Sequence, residues 1–125
     1  GADGDRDTTK RPDMARAAVL GSDVLIVTDH HPRFEDPASI RAALVAAARE
    51  AAPDHPLYEE GQPERAIRLA VSLVGPGDAI LWAGPGHQNY RDIRGVRTDY
   101  SARREARAAL QEAGYAAAPS QDLTS

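Results

Sequence analysis

Two segments of the chain carry unbroken apolar runs, and each run ends in an unusual turn. In Asp23-Val-Leu-Ile-Val-Thr-Asp-His-His-Pro-Arg33 the run at 24–27 stops in a proline-stiffened polar turn; in Ala79-Ile-Leu-Trp-Ala83 it stops in Gly84-Pro-Gly-His-Gln-Asn-Tyr90. Such runs suit strands covered on both faces, as in a parallel sheet flanked by helices. The intervening segments have helical spacing. Arg11–Leu20 reads as a short helix with Pro12 in its first turn, Met14 and Ala18 on one face and Gly21 as its stop. Asp36 caps a second helix that opens on Pro37, turns Ile40, Leu44, Ala47 and Ala48 inward and reaches about Ala52, before Pro53. Leu57-Tyr-Glu-Glu60 suits a short strand. A third helix over 63–74 places Ile67, Val71 and Val74 on one face and Glu64, Arg65 and Arg68 toward water. After the Gly75-Pro-Gly77 loop and the second apolar run, Ile93-Arg-Gly-Val96 suits the centre of a small hairpin. Ser101 caps a last helix through Ala113, with Ala106, Ala109, Leu110 and Ala113 inward and Gly114 as its stop. Alternating strands and helices predict an α/β fold with a mostly parallel sheet. Ligands collect beyond the strand ends of such sheets, which makes 28–33 the expected working edge.

Composition narrows the picture. At 125 residues, 42% hydrophobic and 27% charged, the chain fits one folded domain with one modest core, expected over 1–114, with 115–125 as a frayed tail. A net charge of −4 gives no broad footprint for nucleic acid. The absence of cysteine removes disulfide and thiolate chemistry and fits a reducing compartment. No apolar run approaches the roughly 18–20 residues needed to cross a bilayer, and no signal peptide opens the chain. The expectation is a soluble, cytoplasmic protein without nucleic-acid or membrane partners. Residues 1–10 have two readings: a disordered tail, or a polar loop of a longer protein in which Gly1 and Gly4 give backbone freedom.

Candidate chemistry centres on the two turns. Asp29, His30, His31, Asp36, His55 and His87 are metal-ligand types, but adjacent histidines on an extended turn point to opposite sides, so the pattern favours a polar loop over a zinc site. The chain has no Gly-x-x-x-x-Gly-Lys-Ser/Thr phosphate loop, no Gly-x-Ser-x-Gly and no His-Glu-x-x-His, and no residue is assigned a catalytic role. Arg33, after Pro32, suits bidentate pairing with a carboxylate or phosphate; a solvated arginine or a partner of Glu35 or Asp36 is the competing reading. Gly84 and Gly86 let a ligand approach the backbone, with His87 and Gln88 as hydrogen-bonding groups; a plain tight turn is the alternative.

The order Gly4-Asp-Arg-Asp7, Lys10-Arg-Pro12 with Met14, Val27-Thr-Asp29 followed by Pro32-Arg33, Glu35-Asp-Pro37, Ala83-Gly84 with Gly86-His87 and Tyr90, then Asp99-Tyr-Ser101 with Arg103, resembles the C-terminal domain of the Mur ligases. Within that family it is most similar to the tripeptide synthetases that add the third residue of the peptidoglycan stem peptide. The resemblance implies a Rossmann-like three-layer domain, here lacking its first strand, that closes over two further domains. Those would bind the UDP-MurNAc-peptide and, with ATP and Mg2+, most of the nucleotide site.

By the same resemblance, Arg6 and Arg33 hold carboxylates of the incoming amino acid, His31 belongs to the same substrate-binding set, Asp5 lies near the nucleotide ribose, Gly84 and Gln88 form the opposite wall, and Lys10 or Arg11 approaches phosphate. The diaminopimelate-adding synthetases typically read Asp-Asn-Pro-Arg and Gly-Lys-Gly-His-Glu, whereas here His31 stands at the asparagine and Gln88 at the glutamate; Asp3 also replaces a usual glycine. Keeping Arg33 favours a substrate with a distal carboxylate, so meso-diaminopimelate leads. A different diamino or dicarboxylic amino acid, in a paralogue, competes with it. A binding module that kept the fold without catalysis is the reading from a different class.

Overall fold

The computed structural model describes residues 1, 2, 4, 8–84 and 90–115. After a short turn at Thr8–Lys10 come α1 (Arg11–Leu20), β1 (Leu25–Val27), α2 (Pro37–Ala51), β2 (Leu57–Glu59), α3 (Pro63–Leu73), β3 (Tyr90–Ile93), β4 (Val96–Asp99) and α4 (Ala102–Glu112). The fold is α/β. β1 and β2 pair in parallel, Leu25 opposite Leu57 and Val27 opposite Glu59, with α2 as the crossover that a parallel pair requires. β3 and β4 form a separate antiparallel hairpin.

The helix starts follow the capping chemistry of the sequence. Asp36 accepts the Ala38 N–H at 3.2 Å and Pro37 occupies the first turn of α2; Ser101 accepts the Arg104 N–H at 3.2 Å at the start of α4. Inward-facing Ile40, Leu44 and Ala48 of α2 meet Ala15 and Val19 of α1, Val27 of β1 and Ala2 in the main core. A second cluster joins Ile67 and Val71 of α3 to Ala109 of α4, with Trp82 and Tyr115 packed against it.

The inner face of α1 differs from expectation. Arg11, Ala15 and Val19 are buried, while Met14 is 48% exposed. Both choices obey the four-residue spacing, and the ion pair of Arg11 with Glu35 at 2.8 Å belongs to the stripe that won. Glu64 and Arg68 do not simply face water either. Arg68 bridges to Glu112 at 2.6 Å and Glu105 at 3.2 Å on α4, and Glu64 pairs with Arg91 of β3 at 2.8 Å.

The run at 79–83, expected as a strand, is not one. Leu81 is 91% exposed, and among the described residues β1 has only β2 as a hydrogen-bonded neighbour. An apolar run becomes a strand only where its peptide groups find a ladder partner. Here its apolar content serves the α3–α4 cluster through Trp82 instead. The hairpin, in contrast, forms where expected. Arg94 (φ 54°) and Gly95 (φ 79°) are both left-handed between the paired Ile93 and Val96, as a two-residue turn of the primed type demands.

Truncating Leu44 to alanine removes a side chain from the centre of the main core and is expected to lower unfolding free energy by about 3 kcal/mol in urea melts. Met14→Ala, on the exposed side of α1, should cost no more than about 0.5 kcal/mol.

Candidate functional site

The parallel ladder runs one step past β1. The Glu60 N–H donates to the Val27 carbonyl at 3.0 Å, and the Asp29 N–H and the Thr28 hydroxyl both donate to the Gly61 carbonyl at 3.3 Å. Arg41 of α2 locks this end from the side, reaching Asp29 at 2.6 Å and Glu59 at 2.9 Å. The Asp29 hydrogen bond in particular raises the Arg41 pKa above its ordinary value, against the desolvation of partial burial. A Cβ at Gly61 would lie 2.7 Å from the Arg41 guanidinium, so glycine leaves room for that clamp.

Beyond Asp29 the chain turns, and Gly1 and Gly4 lie against this turn. A Cβ at Gly1 would lie 2.9 Å from the Thr28 carbonyl oxygen, and one at Gly84 would lie 3.3 Å from the Gly1 carbonyl oxygen. The Gly4 N–H donates to the His31 carbonyl at 2.6 Å, and a Cβ on Gly4 would be driven into the Pro32 carbonyl. The first residues of the chain therefore run against the 28–33 turn, with Gly84 beside them.

The hairpin supplies a further wall. Its strand β3 donates the Asp92 N–H to His31 Nδ1 at 3.0 Å, which makes that nitrogen an acceptor without a proton. His31 has no exposed surface; its ring stacks on Tyr90 with centroids 5.3 Å apart and lies 4.0 Å from that of His30. Arg33 follows, with φ 53° in the left-handed region that non-glycine residues rarely adopt. Its N–H donates to the Asp92 carbonyl at 3.3 Å, its carbonyl accepts the Arg94 N–H at 2.8 Å, and its guanidinium donates to the Gly4 carbonyl at 3.4 Å. Backbone bonds on both sides thus hold Arg33 in a strained conformation at the mouth of the turn, partly exposed.

Between the turn and the hairpin lies a cavity of about 10 Å3, lined by Asp29, His30, Pro63, Trp82, Tyr90, Arg91 and Tyr100. It has room for about one water. The Tyr100 hydroxyl is buried and has no hydrogen-bond partner among the described residues. Burial, reinforced by the charge of Glu64 and opposed by Arg91, pushes the Tyr100 pKa well above the ordinary value of 10. Sequence reasoning expected the hairpin but not its role as a wall; the aromatic residues at its two ends, Tyr90 and Tyr100, were the available signal.

Of the residues singled out from sequence, His31, Arg33 and Gly84 lie at this edge, but His31, expected to bind substrate, has no exposed surface and its Nδ1 is taken by the Asp92 N–H. Lys10 is exposed before α1, whereas Arg11 is buried and committed to Glu35. Asp5, Arg6, His87 and Gln88 lie outside the described residues. His55 precedes β2 and so sits at the opposite edge of the parallel pair. Among the described residues no group of three carboxylate or imidazole side chains could hold a metal ion.

Comparison with known proteins decides the family. The family described as Mur ligase, glutamate ligase domain, matches residues 1–86. The chain belongs to the Mur ligase family. It is 56% identical over 92% of its length to a UDP-N-acetylmuramyl-tripeptide synthetase of Leifsonia xyli. It is also 43% identical over 90% of its length to a UDP-N-acetylmuramoyl-L-alanyl-D-glutamate–2,6-diaminopimelate ligase of Corynebacterium glutamicum. In each case it spans 22% of the relative's length. A solved diaminopimelate ligase structure superposes with a TM-score of 0.79 at 33% identity, over 93% of this chain and 23% of that one. The Mur ligase C-terminal domain is therefore both the fold and the sequence match of this chain.

In this Mur ligase domain Tyr100 should be the last of the four tyrosines to ionise in a titration followed at 295 nm. Its pKa is raised on folding, so its contribution to stability is full below about pH 10 and is lost as pH rises beyond that. Tyr100→Phe should delete the latest-titrating phenol; deletion of one titrating near 10 would contradict the burial described here.

Proposed function

We propose that this chain is the amino-acid-binding, C-terminal domain of an ATP-dependent ligase that adds the third residue to UDP-MurNAc-dipeptide in peptidoglycan synthesis, with meso-diaminopimelate as the leading substrate. The carrying observation is Arg33. It is a guanidinium on a strained backbone, bonded to the hairpin through both its N–H and its carbonyl and set in the turn after β1 against which Gly1 and Gly4 lie. A planar cation held this way is suited to a bidentate pair with a carboxylate. The relatives named for the diaminopimelate ligase activity support a substrate with a distal carboxylate. Arg6 and Gln88 are proposed to complete the wall, with Asp5 toward the nucleotide ribose and Lys10, exposed before α1, toward phosphate.

ATP and Mg2+ are proposed to bind mainly outside this chain, with Asp5 and Lys10 reaching the nucleotide from it. The sequence lacks a phosphate loop, and no described group of three acidic or imidazole side chains could take the metal. The UDP-MurNAc-peptide is likewise assigned to parts of the ligase outside this chain, and the isolated domain is expected to be inactive. Its task is to hold the amino acid so that the amine meets an activated carboxyl group; such positioning alone can lower a barrier by several kcal/mol (roughly 7–11 in well-oriented systems). A cytoplasmic site of action is part of this proposal; among the described residues no helix is long and apolar enough to cross a membrane.

Amino-acid-dependent phosphate release by the full-length protein, measured with diaminopimelate, lysine, ornithine and glutamate, tests the assignment. Diaminopimelate should give the highest kcat/KM, and preference for lysine or ornithine would overturn it. Arg33→Ala should raise the amino-acid KM at least about tenfold, equivalent to roughly 1.4 kcal/mol of lost binding. An unchanged KM would remove Arg33 from the substrate site.

A further inference from the structure

We propose that His31 is a positioning residue for amino-acid selection: its imidazole replaces a backbone carbonyl in the ladder that aligns Arg33. The inference rests on the reading of Arg33 as a carboxylate ligand. Arg33 and Ile93 form a parallel bridge, in which the Arg33 N–H goes to the Asp92 carbonyl and the Arg94 N–H comes back to the Arg33 carbonyl. In a parallel ladder the next bond would run from the Asp92 N–H to the carbonyl of residue 31. That carbonyl already accepts the Gly4 N–H at 2.6 Å. Nδ1 of the same residue accepts the Asp92 N–H in its place, at 3.0 Å. One residue thereby ties two elements to the turn, the N-terminal loop through its backbone and the hairpin through its side chain. Arg33 stands two residues further on and touches both: its backbone bonds the hairpin and its guanidinium bonds Gly4.

The imidazole does a second job by stacking on Tyr90. The two jobs separate by substitution. His31→Phe keeps an aromatic ring against Tyr90 but has no acceptor. His31→Asn loses the ring but puts Oδ1 the same number of bonds from Cα as Nδ1, so the Asp92 N–H keeps a partner.

The test uses the full-length ligase and reads amino-acid KM, ATP KM, kcat, melting temperature and hydrogen exchange of the Asp92 amide for both variants, with Arg33→Ala as reference. His31→Phe should speed Asp92 exchange and raise the amino-acid KM about fivefold or more, while kcat and the ATP KM stay within about twofold. His31→Asn should hold the amino-acid KM within about twofold of the parent even where its melting temperature falls below that of His31→Phe. A KM that follows melting temperature across the variants, or an Asp92 amide still protected in His31→Phe, would overturn the proposal. An unchanged KM in Arg33→Ala, alongside an exposed Asp92 amide in His31→Phe, would instead overturn the reading of Arg33 and leave the latch in place.

Discussion

The Asp92 N–H meets the His31 imidazole where a parallel ladder would call for a carbonyl, and the arrangement of the edge depends on that exchange. A peptide carbonyl can anchor one neighbour well, yet the turn after β1 has two to hold: the N-terminal loop and the β3–β4 hairpin. Giving the carbonyl to Gly4 and the side chain to Asp92 provides both of these N–H groups with an acceptor, which matters because an unpaired polar group in a buried place is costly. The left-handed conformation of Arg33 persists because these bonds over-determine it. Gly4 fits the arrangement for the same reason, since the Pro32 carbonyl occupies the space a side chain would need.

In the proposed function this edge presents groups to the amino acid. Several of the cations around it are committed to ion pairs. Arg11 is spent on Glu35, Arg41 on Asp29 and Glu59, and Arg91 on Glu64, each ion pair fastening a different element to the turn or the hairpin. Arg33 is held through its backbone bonds to the hairpin, and its guanidinium donates to the Gly4 carbonyl at 3.4 Å. A carboxylate ligand would offer that guanidinium a charge-assisted pair. The proposed division of labour in the ligase follows: this domain selects and orients the amino acid, and the chemistry of activation belongs elsewhere.

Helix positions were legible because their signals are local. Asp36 with Pro37, and Ser101, mark two of the starts in the sequence and cap them in the structure. The hairpin was legible from Arg94-Gly95, since the turn needs two left-handed residues in succession. What failed depended on partners distant in sequence. The stripe of α1 was ambiguous between two faces until Glu35 and α2 chose Arg11, Ala15 and Val19. The run at 79–83 carried the apolar content of a strand but no information about a ladder neighbour. At the site, Arg33 could be singled out by residue type and by resemblance to the family. The burial of His31 could not, because it arises from Tyr90 and Asp92, some sixty residues away, as the 61-residue separation of the Asp92 bond shows.

The most direct measurement is diffraction from crystals of the full-length ligase with meso-diaminopimelate and a non-hydrolysable ATP analogue bound. The expected result is the distal carboxylate of the amino acid on the Arg33 guanidinium at about 2.8 Å, with His31 buried beneath it and still accepting the Asp92 N–H. An amino acid bound with Arg33 turned away from it, or with the hairpin detached from the 28–33 turn, would contradict the assignment of this edge as the selecting surface.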